Sequence, residues 1–148
     1  GGDVIFFDDR FLVGHSTRTN MAGIEFFSGV ALTRGFTTKV FEVPESTLHL
    51  TTICSSPKPG VLVAAEGHLV PEQFAELEAE GVEVVWIPNH ESYAANVIGF
   101  ESGKVLISAD YPETQRILET IGFTTQSVDM EHIRAADGSL TCCSIFYQ

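Results

Sequence analysis

Gly35-Phe36-Thr37-Thr38-Lys39-Val40-Phe41-Glu42-Val43-Pro44 has two counterparts further along the chain, Gly81-Val82-Glu83-Val84-Val85-Trp86-Ile87-Pro88 and Gly122-Phe123-Thr124-Thr125-Gln126-Ser127-Val128. Each stretch opens with a glycine able to end a helix and continues through β-prone residues. The glycines lie 46 and 41 residues apart, so the chain reads as three copies of one unit.

Working back from each glycine completes the unit. In the first, Val4–Phe7 and Phe11–Gly14 are short strands turned at Asp8-Asp9. Asn20 then caps a helix to about Thr33, with Met21, Ile24, Phe27, Val30 and Ala31 on one face. Strand Phe36–Val43 closes the unit at Pro44. The second has strands Leu48–Cys54 and Val61–Ala65 around the turn Pro57–Gly60, a helix from Pro71 to Glu80 with Phe74 and Leu77 inward, and strand Val82–Ile87. The third has strands Asn96–Phe100 and Val105–Ser108, a helix from Pro112 to Ile121, and strand Phe123–Val128. The fold class is α/β, built of β-β-α-β repeats over about 1–44, 45–88 and 89–129. A short helix near Met130–Ala135 and a closing strand over 140–146 lie outside the pattern and suggest ring closure.

With 148 residues there is room for one domain, and 44% hydrophobic against 19% charged residues excludes wholesale disorder. Twenty acids and eight bases leave a net charge of −12 with no basic cluster, which argues against a nucleic-acid partner and suits a small cationic one. No apolar run approaches a membrane span, so the expectation is a soluble, cytoplasmic protein without a membrane partner. The chain opens Gly1-Gly2-Asp3 directly onto an apolar strand, as a chain beginning mid-fold would.

Cys54, Cys142 and Cys143 show no metal-ligand spacing, and the adjacent pair is poorly placed to bridge. Their plainest reading is as reduced thiols. Cys142, after the turn Asp137-Gly138, could instead be presented to a cleft, with Cys143 on the opposite face of the strand. His49, between Leu48 and Leu50, is either a structural histidine or, beside a thiol, a general acid/base. Arg18 lies in a polar loop that could hold an anion or simply cap the following helix. Asp3 follows two glycines, where close backbone approach is possible. His15, His68, His90 and His132 read as surface or loop residues.

Taken together, Gly1-Gly2-Asp3-Val4, Gly14-His15-Ser16-Thr17-Arg18-Thr19-Asn20, Leu48-His49-Leu50, Ala94-Ala95-Asn96 and Leu140-Thr141-Cys142-Cys143-Ser144 resemble, in order and spacing, the dimethylarginine dimethylaminohydrolase family of the guanidino-group modifying superfamily. The resemblance spans essentially the whole chain. It implies a pentein-like α/β propeller of five units, of which about three, the C-terminal portion, are present. Cys142 is similar to the family nucleophile and His49 to its general acid/base. Arg18 is similar to the arginine holding the substrate α-carboxylate, and Ala136-Asp137 to the turn lining the amino-acid end. Asp3 is grouped with the substrate-binding residues. The family acid that precedes Gly-Gly-Asp would fall before Gly1.

The resemblance further implies hydrolysis of N-methylated arginine to alkylamine and citrulline through a cysteine-bound intermediate, with no metal or organic cofactor. Arginine deiminases resemble a His-x-Asp pattern where this chain has His49-Leu50-Thr51, which favours a dimethylargininase over a deiminase. The alternatives are a deiminase, an amidinotransferase-like enzyme, or a non-catalytic propeller fragment that binds a partner. An arc of three units should leave sheet edges and apolar faces open, which leads to the expectation of an N-terminal companion chain or self-association.

Overall fold

A computed structural model describes residues 1–145. Three three-stranded sheets follow one another, each with the same topology: an antiparallel hairpin, a helical crossover, and a third strand parallel to the second. The first comprises β1 (Val4–Phe7), β2 (Arg10–His15), α1 (Met21–Thr33) and β3 (Thr37–Glu42), with Val4 opposite Val13, and Arg10 opposite Thr37.

A small helical turn, α2 (Leu50–Ile53), leads into the second sheet: β4 (Cys54–Lys58), β5 (Val61–Ala65), α3 (Ala75–Ala79) and β6 (Glu83–Ile87). The third is β7 (Ile98–Gly99), β8 (Lys104–Ser108), α4 (Pro112–Thr120) and β9 (Thr124–Val128), followed by α5 (Glu131–Arg134). The repeat expected from the glycine spacing is therefore present. Gly35, Gly81 and Gly122 have φ of 84°, 97° and 96°, the left-handed conformation that closes each crossover helix.

Local chemistry sets the helix ends. The Asn20 side chain accepts from the Gly23 N–H at 2.9 Å, capping α1. The buried Glu91 carboxylate accepts from the Glu113 and Thr114 N–H groups and from the Thr114 hydroxyl at the start of α4.

Every residue of β5 is buried, as expected for a strand covered on both faces. Phe41 of β3 packs on Phe74 with ring centroids 4.9 Å apart, and Phe74 on Trp86 of β6 at 5.3 Å, joining the first two sheets. Ser55 joins the second and third: its hydroxyl donates to the Ala95 carbonyl and accepts from the Val97 N–H. The apolar face of α1 is narrower than its sequence suggests. Ile24 and Ala31 are buried, while Met21 and Val30 lie at the surface.

Two expected strands are not formed. Over Leu48–Cys54 only His49 and Cys54, the first residue of β4, are extended, and the chain between them turns as α2, because Leu50 and Ile53, three apart, are both buried and the Leu50 N–H is held by Asp3. The closing strand over 140–146 is replaced by a 3-10 turn, Thr141–Cys143, with the Cys143 and Ser144 N–H groups donating back to Leu140 and Thr141. Phe146, at the end of that expected strand, lies outside the described residues. The helix expected from Pro71 to Glu80 is broken at Phe74 into a 3-10 turn, Pro71–Gln73, and α3. Among the described residues, no helix is long and apolar enough to cross a membrane.

Candidate active site

The site is organised from Asp3, a carboxylate 3% exposed just before β1. One oxygen accepts from the Leu50 N–H at 2.8 Å. The other meets the Ser16 hydroxyl at 2.8 Å, the Thr19 hydroxyl at 2.7 Å and His49 Nδ1 at 3.2 Å. Burial pushes the Asp3 carboxyl upward, but the bonds from Thr19, the Leu50 N–H, Ser16 and His49 outweigh it and hold it below its ordinary range. An ionised Asp3 fixes His49 Nδ1 as the protonated nitrogen, leaving Nε2 for chemistry.

Gly2 supplies the other wall of the histidine. A Cβ there would stand 2.6 Å from the imidazole ring, so the ring packs against bare backbone. Its carbonyl accepts from the Thr51 N–H at 2.9 Å. His49 is thereby held between the start of the chain and α2, at the N-terminal end of that turn.

Cys142 comes from the opposite end of the sequence. It sits in the 3-10 turn, exposed, with Sγ 3.2 Å from the Ser139 hydroxyl. His49 and Cys142 line one cleft of about 300 Å³, with Asp137, Gly138 and Arg134 along its rim. Asp137 has φ of 58°, and the N–H groups of Ala136, Asp137 and Gly138 all turn back to Ile133 and Arg134. Tyr93 braces this turn by donating its hydroxyl to the Gly138 carbonyl at 2.6 Å. Arg134 lies over the Tyr93 and Tyr111 rings, 5.1 and 5.8 Å from their centroids. On its other side Cys142 borders a larger cleft of about 680 Å³, lined by the first strands of all three sheets.

Not every expected site residue converges. Asp3, expected among the substrate-binding residues, does not line the cleft: its oxygens are buried and taken by four donors of the chain itself, one of them His49. Arg18 is exposed and borders a separate depression with Thr17, Asn20 and Phe27, apart from the His49–Cys142 cleft. Its N–H donates to the Ser16 hydroxyl, whose own proton goes to Asp3, so it stands beside the machinery without reaching it.

Ala136 is exposed on the rim turn. Cys143 is exposed too, because a 3-10 turn does not sort neighbours onto opposite faces as a strand would. Cys54 is buried, its thiol pushed up to about 12 by burial, and is chemically quiet. His68, expected at the surface, instead lines the cleft with its Nδ1 2.8 Å from the Thr47 hydroxyl. Nothing in the flanking Gly67 and Leu69 marks it. Asn96, fully buried between α2 and the cysteine turn, was visible only as part of a motif. His90, Glu91 and Glu113 bring their ligand atoms within 4.8 Å of one another, with both Glu91 oxygens also accepting hydrogen bonds at the start of α4.

No family model matches the chain. A dimethylarginine dimethylaminohydrolase of Pseudomonas aeruginosa is 30% identical over 144 residues, 97% of this chain and 54% of that protein. A solved structure of a Pseudomonas aeruginosa dimethylarginine dimethylaminohydrolase, a Cys-to-Ser mutant complexed with citrulline, superposes with a TM-score of 0.80 at 30% identity, over 95% of this chain and 52% of that one. An amidinotransferase from Microseira wollei, 18% identical, shares the fold with a TM-score of 0.84 over 95% of this chain and 45% of its own. The fold is therefore that of the pentein α/β propellers. Among proteins of that fold, the chain is similar in sequence to dimethylarginine dimethylaminohydrolases. It spans about half the length of the curated relatives it matches.

Proposed function

We propose that this chain supplies the nucleophile and the acid/base of a hydrolase that acts on N-methylated arginine and releases an alkylamine and citrulline. The observation that carries the reading is one cleft lined by both His49 and Cys142, which are 93 residues apart in sequence, with His49 fixed by a buried carboxylate. The identity to dimethylarginine dimethylaminohydrolases over nearly the whole chain supports the choice of substrate.

In this mechanism the Cys142 thiolate attacks the central guanidinium carbon and forms a C–S bond. The C–N bond to the methylated nitrogen then breaks, and His49 gives a proton to the leaving amine. Water adds to the resulting S-alkylthiouronium carbon while His49 takes its proton. Cleavage of the C–S bond returns the thiolate and leaves citrulline. The cation favours the thiolate at the moment it is needed. The rim turn, Ala136 and Asp137, together with Arg134, faces the amino-acid end. A deiminase would release ammonia from unmethylated arginine, and an amidinotransferase would consume a second amine, so product analysis separates the three.

The test is intact mass after exposure to 2-chloroacetamidine, in wild type, Cys142→Ala and Cys143→Ala. Labelling lost only in Cys142→Ala is the expected result. Slow labelling shared among the cysteines would overturn the reading. The three free thiols support a reducing, cytoplasmic setting. The larger cleft beside Cys142, walled by Val4, Ile5, Phe6, Val97 and Ile98, supports a protein partner covering it, a companion chain or a second copy.

A further inference from the structure

Asn96 belongs to the third repeat, just before β7, and is fully buried. Its side-chain amide makes three hydrogen bonds. Nδ2 donates to the Thr51 carbonyl at 2.5 Å and to the Thr141 hydroxyl at 2.8 Å, and Oδ1 accepts from the Thr141 N–H at 3.0 Å. Both amide protons and one lone pair are used. The partners give these bonds their meaning. Thr141 immediately precedes Cys142, and Thr51 lies two residues after His49 in α2. The Thr51 N–H is in turn held by the carbonyl of Gly2, against which the His49 ring packs.

We infer that Asn96 is a positioning residue of the cleft: it ties the turn bearing Cys142 to the turn bearing His49 and so sets the distance between nucleophile and acid/base. This inference rests on the cysteine–histidine reading above. Tyr93 also holds the loop, but at Gly138, four residues ahead of Cys142. Cys142 sits in a 3-10 turn, with no sheet ladder to fix it among the described residues. Ser139 bonds Sγ from within the same loop, so it cannot set the position of that loop against α2.

Asn is specifically suited to the task. An Asp of the same shape has no proton to give the Thr51 carbonyl or the Thr141 hydroxyl, and it would bring a charge against that carbonyl. Ala would leave the Thr141 N–H and the Thr51 carbonyl without their partner.

The test compares second-order labelling rates at Cys142 by 2-chloroacetamidine, a cation that needs an oriented thiolate and histidine, and by iodoacetamide, which does not. The variants are Asn96→Asp and Thr141→Val, with folding monitored by circular dichroism at the assay temperature. A misplacement of the reacting groups by a fraction of an ångström to 1 Å reduces oriented reactions by up to about a hundredfold. The expected result is a fall of about tenfold or more in the amidine-to-iodoacetamide rate ratio for Asn96→Asp, and about threefold for Thr141→Val, which loses one of the three bonds.

A role confined to stability would lower the melting temperature and leave the ratio of the folded protein unchanged. If Asn96→Asp fails to fold, Thr141→Val still decides. A ratio equal to wild type in every folded variant overturns the inference while leaving the functional reading intact. Wild type that shows no amidine preference at Cys142 overturns the reading, and the inference with it.

Discussion

Asp3 accepts four hydrogen bonds in a setting nearly closed to water. Its pKa lies below the ordinary value of 3.8 in the folded chain, so the unfolded chain binds its proton more readily. The stabilisation is fully present above that ordinary value and is lost as pH falls through the lower folded value. Asp3→Asn turns a donor toward groups that themselves donate, and should destabilise by about 2–4 kcal/mol at pH 7. Urea unfolding from pH 7 to pH 2.5 should show the gap to wild type narrowing only below about pH 4. A gap that stays constant over that range would contradict the assignment. At this scale the sequence was partly legible. Cys142 and His49 stood out by motif, whereas the bonds that Asp3 and Asn96 make to His49 and Thr51 reach about 45 positions along the chain, where no local pattern connects them. His68 entered the cleft for the same reason, through Thr47 rather than through its own neighbours.

Between residue and molecule, the elements differ in how much of their shape is local. The crossover helices could be read because their ends are set by adjacent chemistry, Asn20 at one end of α1 and left-handed Gly35 at the other. The segments at the site could not. Leu48-His49-Leu50 alternates like a strand, yet the Asp3 carboxylate and the Gly2 carbonyl take the N–H groups of Leu50 and Thr51, and the chain coils into α2. Thr141-Cys142-Cys143 is β-prone, yet Asn96 holds the Thr141 N–H and the segment turns. In both places a tertiary bond overrides propensity at a site residue.

The same principle, run the other way, identifies α4 as an element capped from outside its own sequence. Burial raises the Glu91 carboxyl, but the Thr114 hydroxyl, the Thr114 N–H and the Glu113 N–H outweigh it and keep it below its ordinary range. Glu91→Ala should therefore cost about 1–3 kcal/mol in denaturant unfolding, and hydrogen exchange should loosen first in α4. Uniform loosening of all three sheets would mean that Glu91 serves the core rather than this helix.

For the whole molecule, three sheets of identical topology were legible from the spacing of Gly35, Gly81 and Gly122, because every unit needs the same left-handed exit from its helix. What the repeat could not convey is how the units face one another. Their first strands β1, β4 and β7 converge on the large cleft beside Cys142, and apolar side chains wall it. Phe6 and Phe100, at the ends of the first and third units' hairpins, remain 54% and 51% exposed. Burying such surface in water-free contact is worth about 25 cal/mol per Å², and open strand edges add unpaired backbone groups that favour pairing with another chain. The net charge of −12 opposes close approach of two copies but is screened within about 8 Å at physiological salt. Apolar association should therefore prevail as salt rises. Sedimentation velocity of the chain at tens of micromolar should give a mass above the 16.1 kDa of one copy, increasing between 0.05 and 0.5 M salt. Phe6→Glu should shift the distribution back toward one copy by placing a charge in that surface. A monodisperse 16.1 kDa species at every salt concentration would show that the cleft stays open to water, and that no second copy covers it.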